Sequence, residues 1–231
     1  MSHRNKSKSI AFFSILAVVI FFIAFFLYPK IWRNIRNRDI SVSQENLLQI
    51  IPEPSDEDHI LWKGSDNIVV VEYFDIDCQY CRALLLEEDK LSESVKKNVR
   101  LIYRLFPLLE VYPHSLDRAI IAECVSYASG ETAFFNFLRA ASHSYQEHEE
   151  KNDWLVDIAK QFVGNDAHFQ DCVSKRLSIE KINRSRAGGY AAGIFSVPSF
   201  LVAKRGMLVT RFDLLGPISG SRLLKTFADS K

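Results

Sequence analysis

The sequence holds almost no methionine: Met1 and Met207 are the only two in 231 residues. It therefore offers no Met-rich stretch to hold copper through soft thioether ligands. Cysteine is scarce as well, with four in all. Cys78 and Cys81 form one C-x-x-C, while Cys124 and Cys172 stand alone. A closed zinc site would lack its second ligand pair at metal-like spacing. Acidic residues are missing from residues 1–38, which carry seven Lys/Arg. Beyond them 22 bases face 28 acids, a net of −6. A mildly acidic body argues against nucleic acid as a partner. There is no internal repeat and no low-complexity tract beyond one apolar run near the N-terminus. His143 and His148 do not align on one helical face, and with Glu147 and Glu149 beside them they read as a solvated charged segment, not a metal site.

The apolar run is Ile10–Tyr28, nineteen residues without a charge. At a rise of about 1.5 Å per residue it nearly spans a hydrocarbon core of about 30 Å. A cleavable signal peptide has a shorter apolar region and a small-residue cleavage site. Here the run ends in Phe25-Phe26-Leu27-Tyr28-Pro29. The expectation is an uncleaved signal anchor, one transmembrane helix over residues 10–28. Arg4, Lys6 and Lys8 precede it, and Lys30, Arg33, Arg36 and Arg38 follow, so the positive-inside count is close to a tie. Two plausible disulfides suit an oxidising compartment. That places residues 1–9 in the cytoplasm and the body in the periplasm or extracytoplasmic space, held single-pass at the inner membrane. Residues 29–57, with Pro52, Pro54 and the start of the acidic cluster Asp56-Glu57-Asp58, read as a linker with a short helix near residues 44–51.

After the linker, residues 59–62 suit a short edge strand, and Gly64-Ser65-Asp66-Asn67 a turn. Ile68–Phe74 is apolar on both faces except for Glu72, as a central buried strand is. One helix is expected from Gln79 to about Asn98, then a strand over Val99–Leu105. From His114 to about Arg186 apolar residues recur at helical spacing, with Gly130 and Gly164 as punctuation, so a helical block of four or five segments interrupts the strands. A helix over Ile179–Ala187 follows, then a strand led by Pro198, a tight turn at Lys204-Arg205-Gly206, a returning strand Met207–Phe212, and a closing helix Ser219–Asp229.

The chain is organised around residues 69–84. A β-branched run stops, a polar stretch follows, and Cys78-Gln79-Tyr80-Cys81 opens a helix-forming segment. A buried strand delivering Cys78 to a helix start places its sulfur among free backbone N–H groups at the positive end of the helix dipole. Those groups and local exposure favour a thiolate. Cys81, one turn on, can close a disulfide with it. Strand-to-helix context favours redox chemistry over half a zinc site or two buried thiols.

The element order, together with Glu72-Tyr73-Phe74, Cys78-Gln79-Tyr80-Cys81, Phe106-Pro107-Leu108 and Val197-Pro198-Ser199-Phe200, resembles the DsbA-like family of extracytoplasmic thiol:disulfide oxidoreductases. The resemblance covers about residues 58–231. It implies an α/β, thioredoxin-like fold with an inserted α-helical domain at about residues 114–186, here preceded by one N-terminal transmembrane helix. It implies Cys78 as nucleophile, Cys81 as resolving thiol, Glu72 as a buried proton acceptor beneath Cys81, and Pro198 as a cis proline facing the disulfide. Val197 would contact bound peptide. The alternative for Glu72 is a structural carboxylate paired with Lys or Arg, and for Pro198 a trans proline at a strand start. Gln79, where many relatives have proline, and Tyr80, where DsbA has histidine, would tune the couple. So would Asp77, and with it Asp75, whose charges oppose thiolate formation and make Cys78 less acidic than in the strongest oxidants.

Cys124 and Cys172 both fall on the helical block, and similar pairs occur in some DsbA-like relatives. A structural disulfide is expected, with two separate buried thiols as the alternative. It would close a loop of 48 residues, worth roughly 4 kcal/mol in the chain-entropy model. No cofactor or metal is implied. Implied partners are exported cysteine-containing proteins and, for an oxidase, a DsbB-type membrane reoxidase. Rival readings are a disulfide reductase or isomerase, and a copper chaperone or assembly factor using the same thiols.

Overall fold

The computed structural model describes residues 54–145, 152–164, 166–204, 207–213 and 217–229. The anchor expected at residues 10–28, most of the linker and the helix expected near residues 44–51 lie outside them. Among the described residues no helix is long and apolar enough to cross a membrane.

The strands are β1 (His59–Lys63), β2 (Ile68–Phe74), β3 (Arg100–Leu105), β4 (Ser199–Lys204) and β5 (Met207–Asp213). They form one mixed sheet in the order β1-β3-β2-β4-β5. β2 and β3 run parallel, with Glu72 opposite Tyr103, and the other pairings are antiparallel. β2 is central because its β-branched run is apolar on both faces: Val70, Val71, Tyr73 and Phe74 are all buried. This is the thioredoxin-like α/β architecture the sequence implied.

The helices are α1 (Gln79–Glu88), α2 (Glu93–Asn98), α3 (Ser115–His143), α4 (Asp153–Lys160), α5 (Asp166–Lys175), α6 (Ile179–Ala191) and α7 (Pro217–Asp229). The single helix expected from Gln79 to Asn98 is two. Ser92 is extended (φ −65°, ψ 154°), which breaks the helical ladder before α2. Lys96 Nζ reaches back across the break to the Asp89 carbonyl at 3.3 Å, and Val95 turns into the core.

The four helices α3 to α6 form the insertion between β3 and β4. α3 bends at Gly130, which adopts φ 80°, ψ −174°, a conformation open to glycine and strained for residues with a Cβ. Phe134, Phe137, Leu138, Leu155, Phe169 and Ile182 make the insertion's core. Each fully buried side chain of this kind contributes about 1.5–3 kcal/mol. The Cys124–Cys172 disulfide ties α3 to α5, with Cα atoms 5.6 Å apart. α3 packs on α1, while α7 packs on α1 and α2. Helix α6 comes so close that a Cβ on Gly189 would sit 2.5 Å from Phe106 Cε2.

Candidate active site

β2 ends at Phe74, and a three-residue loop leads to Cys78 at the N-cap of α1. The loop is a tight turn: the Cys78 N–H donates to the Asp75 carbonyl at 3.1 Å. Cys78 Sγ accepts from the Cys81 N–H at 3.2 Å, the bond an N-cap oxygen would otherwise make. Both cysteines are free thiols. The Val197–Pro198 peptide is cis, and the Val197 carbonyl lies 3.5 Å from Cys78 Sγ. Chain order thus separates Cys78 and Val197 by 119 residues, and the sheet brings them together through the β2–β4 pairing.

The sequence placed Cys78 at an exposed helix start, but the residue is only 1% accessible. The Val197–Pro198 segment packs over the sulfur on one side. The hydrogen bond from the Cys81 side chain lowers the Cys78 pKa most, and the Cys81 and Tyr80 amides add to it. Burial and the charge of Asp75 oppose them, and the thiol still lies below its ordinary value. Burial pushes Cys81 well up, and its bond to Cys78 pushes it further. The outer sulfur is therefore the acidic one.

Glu72 is fully buried, and neither carboxylate oxygen has a hydrogen-bond partner. No Lys or Arg pairs with it among the described residues. It faces Glu88 and Tyr103 instead. Burial raises its pKa well above the usual carboxylate range, and the neighbouring Glu88 raises it further. A charge on Glu72 would raise the Cys81 pKa further. Glu88 is also fully buried, accepts from Tyr103 Oη, and is pushed up to about 7, mainly by burial. Nothing in the acidic run Glu87-Glu88-Asp89 marks its middle member as the buried one. Only the position of α1 does.

Asp77 is held from the insertion. It pairs with Arg118 of α3, both being buried, and accepts from Tyr145 Oη at 3.0 Å. Arg82 lies over the Tyr145 ring, 3.4 Å from its centroid, and donates to the Ile76 carbonyl at 2.9 Å. Gln79 and Tyr80 are exposed. Tyr112 stands close enough to the thiols and Asp75 for their charges, with burial leading, to push it up to about 12. Arg118, Tyr145 and Tyr112 gave no sequence signal, because each joins the site through tertiary packing alone.

A cavity of about 610 Å³ lies elsewhere, lined by Asp58, His59, Arg104, Glu123, Lys181 and Arg184 among others. Its charged groups pair among themselves, and His59 pairs with Glu131 as well. Among the described residues no cluster of His, Cys, Asp or Glu could hold a metal ion.

A mixed sheet, a helix capped by the first thiol of a C-x-x-C, and a cis proline beside that thiol define a protein of thioredoxin fold with a helical insertion. The family profile described as Thioredoxin matches residues 59–209. The chain belongs to this thioredoxin family. Among solved structures it is similar to BcfH of Salmonella enterica Typhimurium (15% identity, 96% of this chain and 95% of that one covered, TM-score 0.68). It is also similar to the thiol-disulfide exchange protein α-DsbA2 of Wolbachia pipientis (22% identity, 81% and 97% covered, TM-score 0.59). At these identities the likeness carries the fold. Among curated proteins, the Na(+)/H(+) antiporter NhaA 1 of Salinispora arenicola (strain CNS-205) is 25% identical over 167 residues, 72% of this chain and 24% of that protein. The chain spans about a quarter of the length of such relatives.

Proposed function

We propose that the chain is a protein-disulfide oxidoreductase working through a Cys78–Cys81 couple on exported cysteine-containing polypeptides. One observation carries this reading: the more acidic thiol caps α1 and lies 3.5 Å from the carbonyl that precedes a cis proline. In the oxidised enzyme a substrate thiolate attacks Cys78 Sγ. A substrate–Cys78 disulfide forms, the Cys78–Cys81 bond breaks, and the electron pair leaves on Cys81, which takes up a proton. A second substrate thiolate attacks its own mixed-disulfide sulfur and expels Cys78 as thiolate. Two electrons pass from substrate to enzyme, and the substrate leaves oxidised.

The residues divide the work. Cys78 is the better leaving group because it is the more acidic thiol. Glu72, buried and neutral near Cys81, exchanges the proton that Cys81 gains or loses. Val197 and Pro198 present main-chain groups to substrate, and exposed Tyr80 and Phe195 (53% and 70% accessible) offer apolar contact beside them. Gln79 supplies a backbone N–H where proline would have none. Cys124–Cys172 braces the insertion and takes no part in exchange. A lowered Cys78 pKa favours the reduced enzyme, hence oxidation of substrates over their reduction or isomerisation. Reoxidation would fall to a DsbB-type membrane partner.

The nineteen uncharged residues at 10–28, flanked by bases on both sides, support a signal anchor. On this reading residues 1–9 are cytoplasmic, 29–57 tether, and the domain from residue 58 works on the periplasmic side of the inner membrane. The test is oxidation of a reduced dithiol peptide by the preoxidised full-length chain. Wild type oxidises one equivalent of peptide in a single turnover, and Cys78→Ser oxidises none. Equal rates in the two would end the assignment. A periplasmic reporter fused at the C-terminus is active if the orientation is right and silent if it is reversed.

A further inference from the structure

Three acids precede Cys78 in the chain, and the structure gives each a different setting. Glu72 is buried without a partner. Asp77 is neutralised by Arg118. Asp75 is buried at 2% accessibility, and no Lys or Arg pairs with it among the described residues. Dipoles hold it instead. Its Oδ1 accepts from the Asp77 N–H at 2.9 Å, and its Oδ2 accepts from the Leu108 N–H at 2.8 Å and from Ser115 Oγ at 2.7 Å. Its own carbonyl accepts from the Cys78 N–H at 3.1 Å.

We propose that Asp75 is the positioning residue that sets the acidity of Cys78, fixing the loop that presents the sulfur while its charge opposes the thiolate. The inference rests on the reading of Cys78 as the exchanging thiol. Its bonds reach three separate pieces of the fold: the loop before α1, the connection after β3, and the first turn of α3. Leu108 and Ser115 would both have to move before the loop could. Hydrogen bonds from amides and a hydroxyl favour the ionised carboxylate without cancelling its field, as a bound cation would. Burial outweighs them in part and leaves the Asp75 pKa at about 6, so the group is charged at neutral pH. Among the described residues, the other groups around the pair supply no free cation. Arg118 on α3 is engaged by Asp77, and Arg82 on α1 sits on the Tyr145 ring and the Ile76 carbonyl. Glu72 on β2 and Tyr112 after β3 are both held protonated.

Two anions that repel must disfavour each other equally, so the coupling is readable from either side. In the full-length chain, Asp75→Asn keeps the shape and removes the charge. The ultraviolet thiolate titration of Cys78 then moves down by about 1 unit. The Cys78–Cys81 couple becomes more oxidising by the matching tenfold, about 30 mV for two electrons. In wild type, the Asp75 carboxyl carbon, followed by NMR, shows in the reduced protein a second inflection from Cys78 ionisation that the disulfide form lacks. A loop brace without electrostatic action would lower thermal stability and leave both titrations still. If Asp75→Asn leaves the Cys78 midpoint and the potential unmoved, or if Asp75 titrates alike in both redox forms, the inference is wrong. Should the variant not fold, the wild-type titration decides alone. Exchange surviving in Cys78→Ser would undo the assigned function, whereas the mutual titration of Asp75 and Cys78 is read independently of any substrate.

Discussion

Replacing Glu72 with leucine makes the protein more stable and a worse catalyst. Both Glu72 oxygens are buried without a hydrogen bond, in a strand flanked by Tyr103 and Phe200. An unsatisfied buried polar group costs about 1–3 kcal/mol. Leucine has similar volume and no such cost, and Tyr103 keeps its bond to Glu88. At about 2 kcal/mol the melting temperature rises by about 4–8 °C for a domain of this size. The gain depends on pH in a definite direction. Folded Glu72 holds its proton well above the value near 4.3 at which the unfolded chain releases it. Its contribution is therefore fully present below about pH 4 and is lost as pH rises toward the folded value. The leucine variant has no such loss, so its advantage is larger at about pH 8 than at about pH 4. Denaturant titrations at both values measure this. Stopped-flow resolution of a mixed disulfide by Cys81 should slow by about a hundredfold or more as proton exchange is lost. A variant less stable than wild type at the higher pH, or an advantage that shrinks as pH rises, would refute the reasoning.

Three further outcomes are expected. Converting Cys124 and Cys172 together to alanine opens a 48-residue loop and lowers stability by about 4 kcal/mol, while peptide oxidation below the melting transition stays at the wild-type rate. His59, held between Glu123 and Glu131, is raised: burial pulls it down, but hydrogen bonds to both carboxylates outweigh burial. Its stabilisation is present below about pH 6.5 and falls away as pH rises through the folded value; Lys181→Met, removing the cation 2.9 Å from Nε2, moves the imidazole NMR titration further up. Gly189→Ala drives a methyl group into Phe106 and Tyr73 and costs about 1–3 kcal/mol, seen as a lower denaturation midpoint; no change would mean that α6 shifts freely.

The sheet was legible because its signals are local. A β-branched run with one acid, a C-x-x-C at a strand end and a proline-led strand each read without knowledge of the rest. The positions of Cys78, Cys81, Val197 and Pro198 followed from those signals and from resemblance. What could not be read was set by packing. The break at residues 89–92 comes from an extended Ser92 in a stretch with no Gly or Pro. The burial of Cys78 depends on a segment 119 residues away. Glu88 and His59 look like surface residues in sequence, yet α1 and β1 carry both into the interior.

The insertion belongs to the chemistry as much as the sheet does. Read as charges along the chain, Asp75 and Asp77 should act on Cys78 together. In the fold, the first turn of α3 separates them: Ser115 holds one by a neutral hydrogen bond, and Arg118 cancels the other with a cation. Four positions in sequence span both contacts, one helical turn. The helix that opens the insertion therefore decides which acid the thiol feels. Arg118 also donates to Tyr145 Oη at 3.0 Å, and Tyr145 is the platform for Arg82 of α1. The loop after β2, α1 and the insertion thus meet in one hydrogen-bonded network beside the C-x-x-C, and a change in the seating of α3 alters the electrostatics of Cys78 without touching a residue of the motif.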